Sequence, residues 1–343
     1  MGKRTRGGAS IIGGLMGLAA LPAGAADEMF AGKTISVFIG SGAGGGYDFF
    51  GRLAGRHIGR HLPGNPNVVA QNMPGAGSIK AMNYLYAGAP KDGTALAIGT
   101  PSISLVEALK TPGVRFEAAK FNWIGRVGDN LNVTYTWKTS AVKTIADAMT
   151  RDFTISGPSA SSPITLQPAM LGPVLGMKIK LITGYADTAE AMVAAERGEV
   201  DGATASWNTL KVFKQNWLKD GSINLLVQFG LKRHADLPNV QAAVELARND
   251  EERQLIALYV NSADVGYALA APPGVPQDRV DALRTAFVAM FKDPQFLADV
   301  AANKTDVNLL PGAELQKLVQ DSANVSNAVL ERARALSGPQ KGE

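Results

Sequence analysis

Ile35-Ser-Val-Phe-Ile-Gly-Ser-Gly-Ala-Gly-Gly-Gly-Tyr-Asp48 decides how the rest of the chain is read. A short β-branched run drops directly into a glycine-rich loop, and a helical pattern carrying Arg52, Arg56 and Arg60 follows. Glycines let a backbone approach a ligand closely because no Cβ intervenes. The helix start beyond them offers unpaired N–H groups and the positive end of a dipole. About thirty residues on, Asn72-Met-Pro-Gly-Ala-Gly-Ser78 repeats the plan: a strand, a glycine turn, a second helix start. Two such loops on one cleft describe a protein that grips carboxylates with backbone amides.

Working outward, strand patterns alternate with helical ones along the whole chain. Strands are expected at Thr34–Ile39, Val68–Gln71, Ala95–Gly99, Val133–Trp137, Phe153–Ser156, Lys180–Thr183, Gly202–Ser206, Asn224–Phe229 and Tyr267–Ala270. Helices are expected at Asp48–His61, Ser78–Ala87, Thr188–Arg197 and Gln277–Phe291, with a longer helical segment over Ala243–Tyr259. That alternation predicts an α/β architecture with parallel or mixed sheets. At 343 residues and 46% hydrophobic content there is material for two cores.

The first residues stand apart. Lys3, Arg4 and Arg6 precede an apolar stretch, Ile11 to Leu21, and Pro22-Ala-Gly-Ala25 then supplies small residues. That order is the pattern of a secretory signal peptide, expected over residues 1–25. The apolar stretch falls short of the roughly 20 residues a membrane-spanning helix needs. Without cysteine there is no disulfide and no lipid anchor at the cleavage site. The expected product is a soluble periplasmic protein, neither membrane-bound nor a lipoprotein, and monomeric. Removing the leader takes three of the basic residues with it and leaves +1 of the chain's +4 charge. With no basic cluster interleaved with aromatics, a nucleic-acid partner is not expected.

Several chemistries can be set aside on their residues. Gly40-Ser-Gly-Ala-Gly44-Gly45 fits G-x-G-x-x-G, but the second strand ends at Gln71-Asn72 with no acid for a ribose. No cofactor is expected. His57 and His61 stand four apart without a third ligand, so no metal site is expected and the pair reads as a solvated helix face. Gly157-Pro-Ser-Ala-Ser161 lacks the final glycine of a nucleophile elbow, and no serine has an evident base. The chain is therefore not expected to be an enzyme. The hydroxyl-rich loop Ser156–Ser162 and the turn Thr183-Gly-Tyr-Ala-Asp187 read instead as helix caps that double as anion cradles. Asp48 reads as the cap of its own helix, with a water-bridged ligand contact as the second possibility. Tyr47, Phe49, Phe50, Tyr185 and Trp207 are candidates for the cleft wall or the core.

Gly44-Gly-Gly-Tyr-Asp-Phe-Phe-Gly-Arg52, Gln71-Asn-Met-Pro-Gly-Ala-Gly77, Ala89-Pro-Lys-Asp-Gly-Thr94, Arg233-His-Ala-Asp-Leu-Pro-Asn-Val240 and Ala271-Pro-Pro-Gly-Val-Pro276 occur in that order. This series resembles the receptors of tripartite tricarboxylate transporters, the Bug-type extracytoplasmic solute receptors. The resemblance implies a type II periplasmic binding-protein fold: two α/β lobes, two crossing strands and a cleft between them. Lobe 1 would comprise residues 26–131 and 263–343, and lobe 2 residues 132–262. It implies a small organic acid as ligand and membrane transporter subunits as partner, with a sensor histidine kinase as the alternative partner. Carried over by position, the first-lobe contacts are Gly44, Gly45, Tyr47, Asp48, Gly75, Ala76, Gly77 and Ser102. Those of the second lobe are Ser156, Ser159, Ser161, Gly184, Tyr185 and Trp207.

Overall fold

A computed structural model describes Gly2 and residues 28–158, 162–322 and 326–337; the expected signal peptide, and Ser159 and Ser161, lie outside the described residues. The strands are β1 (Thr34–Ile39), β2 (Asn67–Asn72), β3 (Ala95–Ile98), β4 (Asn122–Arg126), β5 (Asn132–Trp137), β6 (Phe153–Gly157), β7 (Ile179–Thr183), β8 (Gly202–Ser206), β9 (Ile223–Gln228), β10 (Ala268–Ala271) and β11 (Leu310–Pro311). They form two sheets, of order β11-β4-β10-β3-β1-β2 and β7-β6-β8-β5-β9. The fold is the expected two-lobed α/β architecture. β1 runs parallel to β2 and β3, while β10 is antiparallel to both β3 and β4.

Each sheet is covered on both faces, and the period of two in its strands shows why. Ile35, Val37 and Ile39 of β1 join one first-lobe core with Leu53, Ile58 and Phe287, whereas Phe38 joins another with Met82 and Phe121. In the second lobe Ile155 of β6 packs with Leu171, Leu255 and Tyr259, and Val133 and Tyr135 of β5 pack with Ala203, Trp207 and Trp217.

The strand register orients the lobes. The first connection, residues 127–131, leaves β4 at Arg126, which pairs with Ala268, next to the Leu269–Ile98 pair that marks the end of β3. It enters β5 at Asn132, which pairs with Ser206 at the end of β8. The loops following β1, β2 and β3 thus lie at the end of their sheet nearest the connection, and those following β6, β7 and β8 likewise at theirs. The second connection returns through Tyr267, whose N–H donates to Gly128 O at 2.8 Å.

Three expectations are corrected, and one strand was not foreseen. The His57/His61 face is not solvated: His57 is buried, with Nε2 2.9 Å from Asp299 Oδ2, and His61 Nε2 lies 3.0 Å from Asp293 Oδ2. His57, on the Gly46–Ile58 helix, and His61, in the 3-10 turn Gly59–His61 that follows it, dock this segment on the Pro294–Ala302 helix, which Asp293 caps. The segment Ala243–Tyr259 is not one helix. A 3-10 turn at Ala243–Leu246 is followed by a fresh start at Asp250, where Asn249 caps Glu252 N at 2.9 Å. Strand β4 was not expected, and its reason is given below. Finally, the helix Asn327–Ser337 packs on the second lobe rather than the first. Val329 and Ala333 lie in that core, and the Tyr259 hydroxyl donates to Ala333 O at 3.2 Å.

Candidate functional site

Three first-lobe loops meet where β1, β2 and β3 end, and they are tied to one another by named bonds. The Ser78 hydroxyl donates to Gly40 O at 3.0 Å and accepts from Thr100 N at 3.1 Å. The Thr100 hydroxyl donates to Gly77 O at 3.1 Å and lies 3.1 Å from Ser102 Oγ. A Cβ on Gly40 would sit 2.5 Å from Ser78 Cβ, so only glycine allows the first two loops to close on each other. Ser78 is fully buried and holds φ +74, a strained value for a residue with a Cβ. It stands at the expected helix start, as the N-cap of the helix Ile79–Asn83, and its ties to the other two loops have no signal in the spacing.

Asp48 does not cap its helix. The helix spans Gly46–Ile58, Gly45 is the N-cap, and Asp48 lies in the first turn. Its buried carboxylate accepts from Gly44 N at 3.0 Å, Arg52 Nε at 2.8 Å and Asn72 Nδ2 at 2.8 Å. Asn72 Nδ2 also donates to Ser41 O at 3.0 Å, and Arg52 Nη2 donates to Asn72 Oδ1 at 2.7 Å. Burial alone would raise the Asp48 carboxyl, but the bonds from Gly44, Asn72 and Arg52 outweigh it and hold the pKa below the usual carboxylate value. Asp48 is therefore an ionised strut between the first and second loops, and it occupies the Gly44 amide. The amides of Gly45 and of the helix's first turn remain as the donors of that loop. Asp48→Ala should leave buried donors unpaired and destabilise the fold by about 1–3 kcal/mol; urea unfolding measures it.

Tyr47, in the same turn, is half-buried against the first-lobe core. Its hydroxyl accepts from Asn130 Nδ2 at 3.1 Å, and Asn130 Oδ1 accepts from the Tyr267 hydroxyl at 3.1 Å. Asn130 belongs to the first connection and Tyr267 to the second, so Tyr47 senses both. Desolvation raises both phenols well above their ordinary value, reinforced at Tyr47 by the neighbouring Tyr267. Both stay protonated. Phe50, a candidate wall residue, is core and stacks on Tyr267 with ring centroids 4.1 Å apart. Sequence gave no signal for Tyr267.

The second-lobe candidates are distributed differently. The Ser156 hydroxyl is buried and donates to Ala191 O at 2.7 Å, so it faces its own lobe's interior. Gly184 N donates to Pro158 O at 3.2 Å, which joins the loops after β6 and β7. Asp187 caps the helix Thr188–Glu196, as expected, by accepting from Glu190 N at 2.9 Å. Tyr185 is half-buried beside the second core. Trp207 opens the helix Trp207–Phe213, and its indole N–H donates to Asp236 Oδ2 at 2.9 Å.

Trp207 also lines a cavity of about 300 Å³ between the lobes, with Asn130, Ser206 and Asn208 among its walls. Across it the lobes touch: Asn208 Nδ2 donates to Thr305 Oγ1 at 2.9 Å, and Lys211 pairs with Asp306. Among the described residues no group of three or more His, Cys, Asp or Glu can hold a metal, and no helix is long and apolar enough to cross a membrane.

Residues 60–335 match the family described as tripartite tricarboxylate transporter family receptor (TctC). The chain belongs to that family. The match begins after the first glycine loop, so the geometry of that loop stands on the structure alone. No curated protein matches the chain in sequence. Among solved structures, the periplasmic binding protein BugD is similar at 20% identity and TM-score 0.64, over 88% of this chain and 97% of that one. An R. palustris protein solved with adipate is similar at 20% identity and TM-score 0.65, over 89% and 97%. MatC from Rhodopseudomonas palustris, with bound malate, is similar at 18% identity and TM-score 0.60, over 89% and 98%. Identities this low speak for the shared fold of these TctC-family receptors, not for a shared ligand.

Proposed function

We propose that this TctC-family receptor works in the periplasm, closes around a small organic acid and delivers it unchanged to a tripartite tricarboxylate-type membrane transporter. The observation that carries this reading is the cross-tied trio of loops at the ends of β1, β2 and β3. Ser78, Thr100 and the Asp48–Asn72 strut hold the backbone there in one arrangement, facing the loops of the second lobe. Preorganised amides bind an anion without first losing conformational freedom, and the first-turn amides add a helix dipole. Each lobe supplies only part of the ligand's partners, so the bound acid favours the closed arrangement. We place Gly45, Tyr47 and the Gly75–Gly77 turn in contact with a carboxylate, and Gly184, Tyr185 and Trp207 opposite. The acids in two fold neighbours, adipate and malate, are of the same chemical class.

A thermal-shift screen of organic acids tests the reading. An acid present at about 100 times its Kd should stabilise the native state by about 2.7 kcal/mol. A screen in which only sugars or cations raise the melting temperature overturns it.

A further inference from the structure

The glycine loops and the interlobe cavity, linked through the Asn130–Tyr47 bond, are chemically opposite. At the glycine loops, amides and a helix start point to an anion, and one cation stands by. The stem of Lys80 lies across Gly75, with its Cβ and Cδ each 3.2 Å from where a Gly75 Cβ would be. Among the described residues Lys80 makes no ion pair.

The interlobe cavity is the reverse. Its lining holds three carboxylates, Asp129, Asp236 and Asp306, against a single ammonium, that of Lys211. Lys211 is already shared, with Asp236 at 2.8 Å and with Asp306. Asn308 Nδ2 donates to Asp129 Oδ2 at 3.2 Å, leaving that carboxylate further acceptor capacity. Asn130 joins the two regions, since it lines the cavity and bonds to Tyr47 in the first turn of the helix.

We propose that the ligand is a short acid carrying one carboxylate and, at its far end, a hydrogen-bond-donating ammonium or hydroxyl, and that this receptor discriminates against dicarboxylates. This rests on the carboxylate-receptor reading above. A second carboxylate in the cavity would meet three like charges, two of which already share Lys211, and nearby like charges disfavour ionisation. An ammonium or hydroxyl would instead donate to a wall carboxylate with acceptor capacity to spare, such as Asp129.

The test is calorimetric titration of the whole mature protein with butyrate, 4-hydroxybutyrate, 4-aminobutyrate and succinate, repeated with the five- and six-carbon sets. At the best chain length the hydroxy or amino acid should bind at least about tenfold tighter than the diacid. The order of those two identifies the donor. A diacid that binds as tightly as, or tighter than, both donor-bearing acids overturns the proposal and leaves the carboxylate receptor standing. Failure of every acid in the sets to bind removes the receptor reading and this proposal together. Asp306→Asn, at an exposed position, and Asp129→Asn should each narrow the preference over the diacid by about threefold or more; unchanged preference in both also overturns it.

Discussion

Gly45→Val is expected to fold and to lose its ligand. Gly45 is the helix N-cap with φ −92°, a value open to any residue, and a Cβ there meets nothing within 4 Å. The folded state therefore tolerates the branched side chain, at a cost of about 1 kcal/mol for a poorer N-cap. The space it fills is where a carboxylate would approach the Gly45 amide. Overpacking of about 1–3 kcal/mol corresponds to roughly 5- to 150-fold in affinity, on top of the lost approach to the Gly45 amide. Calorimetry beside thermal unfolding reads the two effects separately. Unchanged affinity in the folded fraction would make the loop a plain strand-to-helix connector and would sink the site.

Gly125→Val should do the opposite and prevent folding altogether. Gly125 lies in β4, paired with Leu269 on one side and Pro311 on the other. A Cβ at Gly125 would stand 2.3 Å from Phe287 Cε1 and 2.4 Å from Cδ1. Phe287 is fully buried in the helix Gln277–Met290 and cannot swing clear. The helix would have to leave the sheet, a loss beyond about 4 kcal/mol. Expression of soluble protein and denaturant unfolding decide it: a variant within about 1 kcal/mol of wild type would show that the helix can shift. One valine should thus silence the site and spare the fold, and the other should destroy the fold from a distance.

Gly125 also explains what the sequence concealed. Phe121-Asn-Trp-Ile-Gly-Arg126 mixes polar residues and a glycine into six positions, so no β-run stands out. Only the packing of Phe287 shows why the glycine is there. The nine strands that were legible carry short runs dominated by β-branched and apolar residues, and the structure has all of them within one or two residues. β11, two residues long, has no pattern to read. The caps were legible where an Asp or Asn side chain bonds locally, as at Asp187 and, in hindsight, Asn249 before three acids. Asp48 misled because its partners are distributed: Gly44 and Arg52 are each four residues away, but Asn72 is 24 residues away and no spacing rule reaches it. The same holds for Tyr267 and Asn130, which meet at a sequence distance of 137.

The Asn327–Ser337 helix has a consequence for dissecting the molecule. The first-lobe sheet is assembled from chain on both sides of the second, and the second lobe in turn borrows this late helix. Arg334 even reaches back to Ala108 O at 2.7 Å, stitching the borrowed helix to the opposite half. Neither half is a single contiguous stretch, so no one cut yields an independent module. A chain ending at Ser322 would bare the apolar face that Val329 and Ala333 cover. Hybrid receptors built by exchanging halves would need to carry 327–337 along with 132–262, or the transplanted half would arrive without its lining.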